Sequence, residues 1–150
     1  MKEQSDETVT VRVKLISENA KLPQAANAGD VAFDLHSVIN VTLEPGERQV
    51  IPTGLVMEIP KGYEGQVRPR SGLALRNGLS VVNSPGTIDS GYRGEVKVIV
   101  INHGREPFTI TKGMRVCQIA IRQVPQVKFE VVEELSDSER GESGFGSTGV

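Results

Sequence analysis

Scarcity is the first feature of this 150-residue chain. It has one cysteine, Cys117, so no disulfide can form within it, which fits a reducing compartment. Its two histidines, His36 and His103, stand far apart, and Cys117 has no partner motif, so a zinc site is not expected. Aromatic residues make up only 4%. Val, Ile and Leu must therefore build the core, and these suit a pleated sheet. Charge of one sign is missing too: 17 Lys and Arg against 19 Asp and Glu give a net charge of -2, with no basic excess to hold nucleic acid or an anionic membrane. No apolar run approaches the roughly 20 residues of a membrane-spanning helix, and the opening MKEQSDE holds no apolar signal-peptide core. No G-K-[ST] is present for a Walker A loop, and no Ser-His-Asp arrangement can be argued from the residues. What remains is a soluble, cytoplasmic chain, expected to fold as one domain that buries roughly two-thirds of its unfolded surface.

Glycine and proline, by contrast, are plentiful, at 16 and 8, and they punctuate a series of strand signals. TVTVRVKL places Val9, Val11, Val13 and Leu15 on one face, and INVTL repeats this with Ile39, Val41 and Leu43 before the turn EPGE. QVIPTGLVMEI reads as a strand interrupted at Pro52 and Gly54. EVKVIVIN is apolar on both faces, as a central strand requires, and FTIT, MRVCQIAIRQV and VKFEVV follow. Short strands with turns at this spacing predict an all-β sandwich or barrel. One segment departs from the pattern: SGLALRNG, with Ser71 as N-cap and Gly78 as terminator, predicts a helix of about two turns. From Glu133 onward apolar residues are few, which predicts a tail unable by itself to offset its ordering entropy.

Four stretches carry candidate chemistry. In VRPRSGLALRNG, Arg70 meets the unpaired amides of a helix start at Ser71 and Gly72, which suits a polyphosphate or is simply a helix start with a surface arginine. In NSPGTIDSGYRGE, the turn residues make Asp89 and Tyr92 project from a hairpin. Asp89 there either orients and deprotonates a water or closes an Asx-turn that Tyr92 covers. In AGDVAFDLHS, Asp30 and Asp34 lie in a loop entering a strand, either near Mg²⁺ or merely solvated. Finally, Gly144, Gly146 and Gly149 form G-x-G-x-x-G, but only Val150 follows, so no helix can stand behind them as a dinucleotide turn requires. Arg140, Ser147, Thr148 and the glycine amides could still wrap an anion. Phe145 either stacks on a base or has no partner.

In this order, AGDVAFDL, RPRSGLA, VVNSPGTIDSGYRGE, GMRVCQI and RGESGFGSTGV closely resemble the five motifs of the trimeric dUTP diphosphatases (dUTPases), from residue 28 to the C-terminus. Ala32 and Ser143 stand where that pattern usually has glycine. The resemblance implies an all-β jelly-roll or β-clip barrel with a short helix near 71–77, assembled as a homotrimer. It implies a barrel domain over 1–132 and a mobile arm over 133–150 that closes across a neighbouring subunit's active site. The implied reaction is Mg²⁺-dependent hydrolysis of dUTP to dUMP and pyrophosphate by water attack on the α-phosphorus, which keeps uracil out of DNA and supplies dUMP for thymidylate synthesis.

Roles implied by the resemblance follow motif by motif. Asp89 activates the water. Arg70, Ser71 and Gly72 hold the phosphate chain, with Gln118 and Arg115 in support. Asn83 and the backbone of Thr87, Ile88 and Lys97 read uracil, and Tyr92 packs beneath the deoxyribose, where a 2′-hydroxyl would not fit. Phe145 covers the base while Arg140, Gly146, Ser147 and Thr148 grip the γ-phosphate. Asp34 approaches Mg²⁺ through water. The related dCTP deaminases use a glutamate on the strand after IDSGYRG, where this chain has Ile99, a side chain that cannot shuttle protons. A purely nucleotide-sensing role would leave Asp89 beside the phosphate cradle without a purpose.

Overall fold

The structure, a computed structural model, describes residues 8–149; the opening MKEQSDE and Val150 lie outside the described residues. Within them the chain forms β1 (Arg12–Leu15), β2 (Ala32–His36), β3 (Val41–Leu43), β4 (Arg48–Glu58), β5 (Tyr63–Arg68), α1 (Ser71–Asn77), β6 (Leu79–Val81), β7 (Gly86–Ile88), β8 (Glu95–Asn102), β9 (Phe108–Ile110) and β10 (Arg115–Gln123). One four-stranded sheet runs β1-β4-β8-β6, a second runs β2-β10-β5-β7, and β3 pairs with β9. Every pairing is antiparallel. Leu35, Ile51, Leu55, Val67, Leu79, Val98 and Ile119 from both large sheets join one buried cluster. Each such side chain contributes roughly 1.5–3 kcal/mol on leaving water. The all-β architecture predicted from strand spacing is therefore the one observed.

β8 is central, as its two apolar faces predict: it lies between β4 and β6, with Val96, Val98 and Val100 buried and Ile99 and Ile101 half-buried. β4 does not break at Pro52 and Gly54. It continues past them with a register slip between Pro52 and Val56. Gly54 permits this with φ 71°, and a Cβ there would lie 2.8 Å from the Cβ of Ser17.

The helix covers Ser71–Asn77 as predicted, but its N-cap is Arg70, in extended conformation, and no side chain caps the first turn. Ser71 is thus the first helical residue rather than the cap, because the chain bends into the helix one residue earlier than the serine signal suggested. Gly78 ends the helix in the left-handed region at φ 70°, its amide returning to Leu73 and Ala74.

Two strand expectations change. β1 spans four residues rather than all of TVTVRVKL. VKFEVV forms no strand, and Val127, Phe129 and Val131 are exposed. Alternation makes that segment amphipathic, but a strand also needs an edge, and the adjacent β10 already has β2 and β5 on its two sides. From Val124 to Gly149 the chain has neither helix nor strand.

Candidate active site

The stretch predicted as a hairpin is instead a corner between the sheets. β7 pairs with β5 in the second sheet, through Gln66↔Thr87 and Gly65↔Ile88, whereas β8 belongs to the first. Asp89 to Gly94 make the crossing. The amide of Tyr92 donates to the Asp89 carbonyl at 3.1 Å, and Arg93 Nη1 donates to the Ser90 carbonyl at 2.7 Å. The corner opens onto a cleft of about 200 Å³ lined by Thr87, Ile88, Asp89, Tyr92, Glu95, Val96 and Lys97. Asp89 is exposed there, and the Tyr92 hydroxyl donates to the Glu95 carbonyl at 2.9 Å. The Glu95 carboxylate in turn accepts the Gly54 amide at 3.1 Å, tying the cleft to the bulge in β4. Five residues singled out from the sequence thus meet in one cavity. Glu95, a further polar liner, was not singled out, although it ends the motif GYRGE. Asn83 does not line this cleft; it is exposed, and its Nδ2 would lie 3.3 Å from a Cβ at Gly86.

A second group forms around Asp34. This residue lies within β2, not in the loop before it, and is 4% exposed. β10 sets Gln118 directly opposite it in the ladder, with Gln118 Nε2 donating to Asp34 Oδ1 at 3.4 Å. Arg70 Nε lies 3.6 Å from Oδ1, and Arg115 Nη1 lies 3.5 Å from Oδ2. Arg70 also donates to the Arg115 carbonyl at 3.2 Å. Two guanidinium groups around one carboxylate leave the cradle with a net positive charge, and the uncapped amides of the α1 start lie beside Arg70. Such an arrangement attracts anions. Asp30, by contrast, accepts the Asn27 amide at 2.9 Å and belongs to a surface turn.

Two neighbouring groups, Cys117 and His36, are shifted toward their uncharged forms, chiefly by burial. Burial pushes the Cys117 thiol upward, with the Asp34 charge adding to the effect, so no thiolate is available as nucleophile or ligand. Burial first, and then the Lys21 charge, lowers His36, whose Nδ1 is buried without a hydrogen-bond partner.

The arm residues do not line the cleft in the single chain. Arg140 Nε donates to the Ser143 carbonyl at 2.8 Å. The amides of Ser147 and Gly149 close turns onto Gly144 and Gly146, both at 3.0 Å. Phe145 is fully exposed with a left-handed φ of 53°. Among the described residues no three His, Cys, Asp or Glu side chains form a group able to hold a metal ion, and no helix is long and apolar enough to cross a membrane.

Fold and site together define an all-β protein with a polar cleft at the corner between two sheets and a cationic cradle around a buried carboxylate. A family model described as dUTPase matches residues 18–149. A deoxyuridine 5′-triphosphate nucleotidohydrolase of Clostridium kluyveri is 55% identical over 138 residues, covering 92% of this chain and 96% of the relative. That of Clostridium acetobutylicum is 53% identical over 142 residues, covering 95% and 98%. Among solved structures, a mutant dUTPase of Staphylococcus bacteriophage 80alpha with dUpNHpp superposes with a TM-score of 0.88 at 33% identity, covering 95% of this chain and all of that one. A mutant dUTPase from phage phi11 of S. aureus, described for its coordination of a structural Mg(II) ion, superposes at 0.77 with 28% identity, covering 83% and 97%. The chain belongs to the dUTPase family.

Proposed function

We propose that this chain hydrolyses dUTP to dUMP and pyrophosphate. The observation that carries the reading is the convergence of Thr87, Ile88, Asp89, Tyr92 and Lys97 on one cleft of about 200 Å³, in a chain about half identical to deoxyuridine triphosphate nucleotidohydrolases over nearly its whole length. Asp89 takes a proton from water as the water oxygen bonds to the α-phosphorus. The bond from that phosphorus to the oxygen bridging to the β-phosphate breaks, and pyrophosphate leaves. Catalysis is positioning and electrostatics, with no covalent intermediate. Arg70, Ser71 and Gly72 hold the phosphate chain at the helix start, and Gln118 and Arg115 brace it. Uracil lies against Asn83 and the backbone of Thr87, Ile88 and Lys97, too closely for a thymine methyl, and Tyr92 packs under the deoxyribose.

The donor set suits magnesium held chiefly by the three phosphates and water. Among the described residues the carboxylates do not form a cage, and the Asp34 oxygens are already engaged by two guanidinium groups. Asp34 is the residue to approach such an ion, through water. When bound, the ion neutralises phosphate charge. Residues 1–132 act as the barrel domain, and 133–150 as an arm that crosses to a neighbouring subunit of a homotrimer in the cytoplasm. There Arg140, Phe145, Gly146, Ser147 and Thr148 close over the nucleotide. The Phe145 ring, fully exposed in the single chain, supports this assignment, since closure would bury it and exclude water from the phosphates. Pyrophosphate release from dUTP, dTTP, UTP and dCTP, each with and without Mg²⁺, tests base, sugar, metal and reaction type together. Equal release from dUTP and UTP, or ammonia from dCTP, would overturn the reading.

A further inference from the structure

Gly94 stands two residues after Tyr92, at the end of the corner. A Cβ built there would lie 2.4 Å from the Tyr92 hydroxyl oxygen, 2.6 Å from Cζ and 3.0 Å from Cε2. The first two separations are closer than non-bonded atoms allow. The backbone itself does not require glycine, since Gly94 is outside the left-handed region in which nine other glycines lie. The three nearest atoms all belong to the tyrosine ring and its hydroxyl. That ring lies over Gly94 with its hydroxyl bonded to the next carbonyl, Glu95. It is also 46% exposed, so it can swing outward at small cost. The backbone cannot yield as readily, because Glu95 is paired with Val56 and its carboxylate holds the Gly54 amide.

We infer that Gly94 is a positioning residue for sugar selection: the missing side chain at 94 is what allows the Tyr92 ring to lie across the cleft where a ribose 2′-hydroxyl would have to fit. This rests on the dUTP reading and adds a determinant outside the cleft lining. The same corner contains its own control. Gly91 is also outside the left-handed region and has nothing within 4 Å of its Cβ position, so a methyl there meets no ring.

The test uses the full chain and variants Gly94→Ala, Gly91→Ala, Tyr92→Ala and the pair Gly94→Ala with Tyr92→Ala. Gly94→Ala should lower the dUTP-to-UTP ratio of kcat/KM about tenfold or more, the range typical of steric discrimination in a pocket. It should leave the dUTP-to-dTTP ratio within about twofold, because the backbone of Thr87, Ile88 and Lys97 that reads the base is unmoved. Gly91→Ala should change neither ratio. In the Tyr92→Ala background the Gly94→Ala substitution should have no further effect on sugar preference, since its target is gone. Ring displacement is also readable without substrate. The chain has two tyrosines and no tryptophan, so in a Tyr63→Phe background emission comes from Tyr92 alone, and acrylamide should quench it more strongly after Gly94→Ala. Unchanged quenching with unchanged sugar preference would overturn the inference, as would loss of folding in Gly94→Ala, which would show the backbone yielding instead of the ring. A parent protein that fails to prefer dUTP over UTP would instead refute the dUTP reading, while the quenching measurement still decides the position of the ring.

Discussion

Replacing Asp34 by Asn removes the one negative charge in the cradle while keeping the shape of the side chain. At 3.6 Å from Arg70, the gross attraction is about 5 kcal/mol at an effective dielectric constant near 20. Most of this does not survive as net stability, because burying a carboxylate costs several kcal/mol in lost hydration. Arg115 adds little, since its side chain is 50% exposed and such pairs contribute about 0–1 kcal/mol. The expected loss of folding stability is about 1–3 kcal/mol, read as a lower urea midpoint at unchanged slope. The effect on activity separates two accounts. If Asp34 aims Arg70 at the phosphate chain, its loss should lower kcat/KM for dUTP by about tenfold to a hundredfold, or roughly 1.4–2.7 kcal/mol. If Asp34 merely neutralises Arg70, the variant carries one more net positive charge in the cradle and should bind dUTP more tightly. Steady-state pyrophosphate release across dUTP concentrations, repeated at several Mg²⁺ levels, distinguishes them. A KM at or below that of the parent with equal kcat would refute the aiming account. Full recovery at high Mg²⁺ would assign Asp34 to the metal instead.

Asp89→Asn should still bind dUTP while losing about a hundredfold or more of kcat, as expected for a removed general base; single-turnover rates equal to those of the parent would exclude that role. Deleting residues 140–150 should leave the melting temperature nearly unchanged, because residues 140–149 are almost entirely exposed, and should abolish most turnover; a full-length rate from the truncated chain would refute the arm's closure. His36 is held neutral by burial, with its folded pKa below the ordinary value of about 6.5. The unfolded chain therefore takes up the proton first, so stability is complete above about pH 6.5 and falls as pH drops through the folded value. His36→Phe should flatten that part of the urea-midpoint profile, and an identical slope in both proteins would show that His36 does not contribute to it.

Local patterns in the sequence carried much of the fold. The both-faced apolar run of β8, the short helix closed by Gly78 and the turn-bounded strands all follow from periodicity and from the backbone freedom of particular residues. Near neighbours decide these features. The motif residues were legible too, because RPRSGLA, IDSGYRGE and the glycine-rich end combine side-chain types in a specific order. Where local pattern and structure differ, the deciding factor is a partner distant in sequence. VKFEVV has the alternation of a strand, but alternation does not supply an edge. Asp34 looked like a loop acid because its burial comes from β10, 84 residues away at Gln118. The supposed hairpin around Asp89 is a corner because β7 and β8 are recruited into different sheets.

By itself, then, the sequence determined the all-β class, the position of the helix, the motif order and the chemical identity of nearly every group at the site. Tertiary structure alone decided which of those groups meet: Arg70 and Arg115 on a buried Asp34, and Tyr92 folded over the empty space at Gly94. The reason is physical. Strand and turn preferences act between adjacent residues, whereas the charge of a carboxylate and the place of an aromatic ring are set by whichever distant atoms the sheet topology brings against them.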